Sequence, residues 1–149
     1  GDNIKEVGTG AFQDATSLTT VKLGKNVEKL GNNAFAGCTS LKKVTASGSA
    51  ITSIGDGAFK GDKALTSVDF SKSPVKTIGK NAFNGDKKLK TIKVNGNKLT
   101  KVGKGAFKGI KKKATITVYA KNKKVYKKVV KLIKKSGAKN VKYKFKKKK

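Results

Sequence analysis

One six-residue phrase recurs five times along the chain: "VGTGAF" at residues 7–12 returns as "LGNNAF" at 30, "IGDGAF" at 54, "IGKNAF" at 78 and "VGKGAF" at 102. Its phenylalanines, Phe12, Phe35, Phe59, Phe83 and Phe107, lie 23, 24, 24 and 24 residues apart. A unit of that size is too short to bury an apolar face alone. It must stack on copies of itself, so the spacing predicts a solenoid. No linker separates the units, because residues 51–74 run directly into 75–98 with the same residue types at the same offsets.

Two apolar patterns alternate within a unit. The stretches "LTTVKL" (18–23), "LKKVTA" (41–46), "LTSVDF" (65–70) and "LKTIKV" (89–94) read apolar-x-x-apolar-x-apolar, a short strand whose alternate side chains face inward. One such strand per coil allows parallel pairing from coil to coil. A second pair, Ile4 with Val7, Val27 with Leu30, Ile51 with Ile54, Val75 with Ile78 and Leu99 with Val102, precedes Gly8, Gly31, Gly55, Gly79 and Gly103. It predicts a second extended segment ended by a glycine-permitted turn. The Ala-Phe pair is then expected to open a helical turn and send its ring inward, where rings about 4.8 Å apart form one continuous ladder.

The two ends of the array differ. It begins at Ile4, midway through a unit, and a raw solenoid edge is normally capped, so the natural protein is expected to continue upstream. The absence of a signal peptide and of an initiating Met points to a processed or engineered start. Downstream, "ATITVY" at 114–119 is the last strand, with Lys113 where other units carry Leu. In "KNKKVYKKVVKLIKKSG", Val125, Val129, Leu132 and Ile133 share one helical face, and Gly137 suits a helix end. A final strand alternates Val141, Tyr143 and Phe145 with lysines. This divides the chain into a solenoid over 1–118 and a C-terminal cap with a Lys-rich tail over 119–149, together one structural domain. A Lys-rich amphipathic helix can also lie on a membrane, but the capping role explains its position directly after the last coil.

These residues resemble a known family. Leu89, Ile92, Val94, Asn97 and Leu99 fit the leucine-rich-repeat template L-x-x-L-x-L-x-x-N-x-L position by position. Ser49 and Ser73 stand where that template has Asn, and the first unit is one residue short around Asn26. The phrase "LGNNAFAGCTSLKKV" at 30–44 is similar to the BspA-type, or Treponema-type, repeat of bacterial surface proteins, and the likeness extends over about residues 4–118. The resemblance implies an α/β repeat solenoid of about five coils with short parallel strands and short helical turns. It further implies a secreted or cell-surface bacterial protein that binds host or microbial partners. The site of Cys38, prominent in the family phrase, holds Ala15, Asp62, Asp86 and Ile110 in the other units. Cys38 reads as a buried small residue, with a reactive thiol as the alternative. As the only cysteine it forms no internal disulfide. Asp62 and Asp86 read as turn caps, since one carboxylate per coil is a poor site for a hard cation.

Catalytic equipment is sparse. There is no His, no cysteine pair and no recognisable triad or phosphate loop, so neither an enzyme nor a cofactor or metal site is expected. No apolar run of membrane-spanning length occurs. Charge is the loudest remaining feature: residues 1–74 hold 9 Lys against 7 acidic residues, a net of +2, whereas 75–149 hold 28 Lys against 1 Asp, a net of +27. No Arg is present, which disfavours sequence-specific nucleic-acid recognition. Non-specific attraction to a polyanion stays open, through Lys63, Lys87 and Lys111 in one column and Lys80 with Lys104 in another; solubilisation is the other reading. A second surface is the outward strand face, with Lys22, Thr45, Asp69, Lys93 and Thr117 in one column and Thr20, Lys43, Ser67, Thr91 and Thr115 in the next. Three functions follow: a surface adhesion or protein-interaction module, a binder of anionic or cell-wall polymers, and a structural spacer without a ligand.

Overall fold

The computed structural model describes residues 5–46, 48 and 50–149. Ile4 and Ser49, both assigned positions in the repeat above, lie outside them. Each coil contributes one strand to each of two parallel sheets. The first sheet holds the two-residue strands β1 (Glu6–Val7), β3 (Lys29–Leu30), β5 (Ser53–Ile54), β7 (Thr77–Ile78) and β9 (Lys101–Val102) in chain order. The second holds β2 (Thr20–Lys22), β4 (Lys43–Thr45), β6 (Ser67–Asp69), β8 (Thr91–Asn95) and β10 (Ala114–Ala120), and is closed by β11 (Val141–Lys147) beside β10. The core lies between them. Val44, Val68, Ile92 and Ile116 point inward from the second sheet, and Leu30, Ile54 and Ile78 from the first, all nearly or fully buried.

The rings of Phe12, Phe35, Phe59, Phe83 and Phe107 form the expected ladder. Successive centroids are 5.2, 5.4, 5.3 and 5.5 Å apart, and the ring planes lie within 6° of parallel. Phe70 leans against Phe59 at 6.3 Å and 54°, an additional buried ring from the strand side. The first rung is uncovered, and Phe12 remains 47% exposed.

The helical turn expected at Ala-Phe is a run of tight turns instead. In the second coil Ala34 N–H donates to Gly31 O at 3.2 Å and Ala36 N–H to Asn33 O at 3.2 Å. The intervening amides donate to the next coil: Asn33 to Asp56 O, Phe35 to Ala58 O and Gly37 to Lys60 O, at 2.8–2.9 Å. An α-helix would turn all these amides along its own axis. Here every second amide ties two coils together, at the cost of two left-handed residues per coil, such as Asn81 (φ 58°) and Gly85 (φ 84°). Asn and Gly occupy such positions with least strain.

The glycine at the second position of each phrase permits its turn through close approach to the neighbouring coil and not through a positive φ. A Cβ on Gly79 would stand 2.5 Å from the Asp56 amide nitrogen of the preceding coil. Gly31, Gly55 and Gly103 face the same backbone obstruction, whereas Gly8, with no described coil before it, has nothing within 4 Å. These glycines set how closely the coils stack.

The helix α1 (Lys123–Lys135) is the only α-helix among the described residues. Asn122 caps its start by accepting from Val125 N–H at 2.9 Å, and Gly137 (φ 102°) ends it. Val129 and Ile133 are buried against the last coil, with Val125 and Leu132 half-buried. The β10–α1–β11 crossover, which joins two parallel neighbours, thereby covers the end of the stack. β10 continues to Ala120, across the 118/119 division drawn above, so solenoid and cap share that strand.

Candidate functional site

The outward columns are set by strand register. Lys22 pairs with Thr45, Thr45 with Asp69, Asp69 with Lys93 and Lys93 with Thr117. In the neighbouring column Thr20 pairs with Lys43, Lys43 with Ser67, Ser67 with Thr91 and Thr91 with Thr115. The final strand, which sequence reasoning did not attach to this sheet, extends both columns by placing Lys142 beside Thr115 and Lys144 beside Thr117. Alternation of lysine with inward Val141, Tyr143 and Phe145 was the signal for it. Six strands at roughly 4.8 Å spacing make a face about 24 Å across.

The members of this face are not equally available. Thr20, Lys22 and Lys43 are exposed, and Thr45, Ser67, Asp69, Thr91 and Lys93 are half-exposed. Thr117 is buried, at 7% exposure, because it is flanked by Lys93 and Lys144, and is withdrawn from the set a partner can touch. The Asp69 carboxylate is engaged locally, accepting from Ser71 N–H at 2.9 Å and Ser71 Oγ at 2.7 Å.

The lysine columns carry mixed chemistry. Lys63, Lys87, Lys111, Lys80 and Lys104 are all exposed. The column of Lys80 and Lys104 continues upstream through Asp56 and Asn32, whose side chains tie coil to coil: Asn32 Oδ1 accepts from Asp56 N–H at 2.9 Å and Asp56 Oδ1 from Lys80 N–H at 2.8 Å. That carboxylate beside Lys80 weakens the column as an uninterrupted cationic stripe.

Beneath the other column runs a buried polar one. Asp62 Oδ1 accepts from Cys38 N–H at 2.9 Å, and Asp86 Oδ1 from Asp62 N–H at 2.8 Å. Each aspartate therefore caps the coil before its own rather than its own turn. Both Oδ2 atoms are buried without a partner. Burial pushes the Asp62 carboxyl up to about 8, and burial, reinforced by Asp62, pushes Asp86 up to about 10, so both are protonated at neutral pH. No group of three or more metal-ligating side chains occurs among the described residues. The Cys38 thiol is fully buried, donates to Phe12 O at 3.2 Å and is pushed up to about 11, chiefly by burial and secondarily by Asp62. It is a packing residue, held in its unreactive form.

The template asparagine position also bonds between coils. Ser73 Oγ donates to Ala46 O at 2.9 Å, and Asn97 accepts from Lys121 N–H at 2.8 Å while donating to Lys148 O at 3.0 Å. No helix among the described residues is long and apolar enough to cross a membrane.

Comparison with known proteins agrees with this architecture. A crystal structure of a leucine-rich repeat protein from Bacteroides ovatus superposes with a TM-score of 0.59 at 24% identity, covering 80% of this chain. The chain corresponds to 38% of that protein's length, and the likeness bears on fold alone. No curated protein matches the sequence. The family described as the BspA type leucine rich repeat region matches residues 3–134 in 6 copies, one more than the five phrases, and the matched span ends within α1. With register, phenylalanine ladder and family match in agreement, the chain belongs to the BspA-type leucine-rich repeat family.

Proposed function

We propose that this chain is a non-catalytic binding module, secreted or displayed on a bacterial surface, that holds a protein partner on the outward face of its six-stranded sheet. The observation that carries this reading is the in-register pair of columns from Thr20 and Lys22 across to Thr115 and Lys93. A constant framework there presents side chains that differ from coil to coil, which is how repeat proteins build extended recognition surfaces. The face carries no Trp or Arg anchor, so single-site affinity is weak and gains from multivalency. The test is capture of a partner from a surface-protein extract, followed by rebinding of that purified partner in 0.5 M salt to wild type and to a Lys22→Ala, Lys43→Ala, Lys93→Ala variant. At least about a tenfold loss in the variant supports the reading; unchanged affinity refutes it.

The charge gradient and the lysines that β11 adds to the sheet favour a second reading, attraction of an anionic polymer. A heparin-like polymer titrated against wild type and a Lys80→Gln, Lys87→Gln, Lys104→Gln, Lys111→Gln variant over a salt series decides it. Polymer binding through these columns falls steeply with salt and falls again in the variant. No binding at low salt leaves the charge as solvation.

A further inference from the structure

Between α1 and the Gly96–Thr100 connection lies an open groove of about 700 Å³. Its floor is apolar, formed by the half-exposed Val125 and Leu132 with the buried Leu99 and Val129 behind them, and the chain that continues from β8 closes tightly beneath it. A Cβ on Gly96 would meet the Val118 side chain at 2.6 Å. The rim is predominantly cationic: Lys98, Lys121, Lys128, Lys131, Lys135 and Lys149 surround the floor, with Asn97 and Thr100 between them, and no Asp or Glu lines it. This combination separates the groove from the strand face, whose columns include Asp69, and from the Lys80 column, which runs through Asp56.

We propose that this groove is a docking site for an acidic peptide segment of a partner protein, one that carries apolar side chains between its carboxylates. It is a second site, independent of the sheet face. Lysines along the rim repel one another in the empty groove, and a ligand with several carboxylates relieves that repulsion while its apolar side chains cover the floor. Length fits an extended segment: α1 has 13 residues and rises roughly 18 Å, which about six residues of extended chain span. A sulfated glycan matches the rim but offers no apolar side chains for the floor. A bilayer is disfavoured because Val129 and Ile133, the two buried apolar residues of α1, are turned into the solenoid, which leaves only Val125, Val130 and Leu132 of its aliphatic residues half-exposed on the helix.

The experiment uses the full chain and a fluorescein-labelled eight-residue peptide alternating Glu with Leu, read by anisotropy at 0.15 M salt. Two control peptides alternate Glu with Ser and Gln with Leu. Two variants remove three charges each: Lys128→Gln, Lys131→Gln, Lys135→Gln at the groove, and Lys63→Gln, Lys87→Gln, Lys111→Gln away from it. All six positions are exposed, so both variants keep the fold. Saturable binding of the Glu/Leu peptide, weakened about tenfold or more by the groove variant and by less than about twofold by the distant one, supports the site. Both control peptides are then expected to bind at least about tenfold more weakly. Equal losses in the two variants reduce the effect to net charge and overturn it. The Glu/Ser peptide binding as well as Glu/Leu, or full displacement by a heparin-like polymer or phosphatidylglycerol vesicles at lower charge concentration, assigns the surface to polyanions or membranes and also overturns it.

Discussion

Phe59→Ala probes the ladder where it is most enclosed. The ring is fully buried, with Phe35 at 5.4 Å on one side, Phe83 at 5.3 Å on the other and Phe70 at 6.3 Å. Truncation removes the buried area of the ring and leaves a cavity whose walls belong to separate coils and close only partly. Such changes cost about 3–5 kcal/mol, of which the lost ring contacts account for about 0.5–1.5 each. Phe12→Ala is the internal control. Its ring is 47% exposed and stacks on one ring, Phe35, at 5.2 Å, so the loss is about 1–1.5 kcal/mol by the same accounting. Urea unfolding followed by far-ultraviolet circular dichroism gives both values from the midpoint and slope. In a stack coupled only through neighbours, the central variant also lowers the apparent slope, because the halves on either side of Phe59 begin to unfold separately. A Phe59→Ala loss below about 1 kcal/mol, or one no larger than that of Phe12→Ala, refutes the stacked ladder.

Three further outcomes follow from the same geometry. Gly79→Ala forces a Cβ against the Asp56 backbone and lowers stability by about 1–3 kcal/mol, whereas Gly8→Ala, with open space around it, is neutral or stabilising by up to about 1 kcal/mol in the same urea assay. The folded-state carboxyls of Asp62 and Asp86, raised from 3.8 to about 8 and about 10, bind protons that the unfolded chain releases. The stability that these two groups contribute is therefore greatest below about pH 4, is lost through about pH 8 for Asp62 and continues to fall towards about pH 10 for Asp86. Asp86→Asn flattens that dependence, and thermal melts at pH 5, 7 and 9 that slope equally in both proteins contradict the assignment. Cys38, buried with its pKa up at about 11, reacts with a thiol reagent only as fast as the fold opens; immediate stoichiometric labelling of the native protein contradicts its packing role.

Sequence was most informative where a residue's role repeats. Five phenylalanines at one period define the ladder, and alternation within "LTSVDF" or "LKTIKV" defines both the inward Val68 and Ile92 and the outward Asp69 and Lys93, because strand period and coil period together place every residue. It was least informative where a role depends on the neighbouring coil. Ala-Phe has ordinary helix propensity, and only the amide bonds from Phe35 to Ala58 and from Phe59 to Ala82 turn that segment into tight turns. Asp62 and Asp86 read as caps of a nearby turn, and only the stacking shows that the backbone amides they accept from belong to the coil before. Thr117 matches its column in sequence and is covered by a strand that returns 27 residues later, at Lys144. The lysine-rimmed groove had no sequence signature, since Leu99 and Leu132 come to line one groove only once α1 docks.

Localising the contact tests the functional account most directly. Amide hydrogen exchange on the full chain, with and without a purified captured partner, maps that contact coil by coil. Slowed exchange in residues 20–22, 43–45, 67–69 and 91–93, with little change in the Gly-x-x-Ala-Phe turns on the opposite side, is the result a strand-face binding module requires. Protection confined to those turns, or spread evenly over the Lys-rich half, contradicts it.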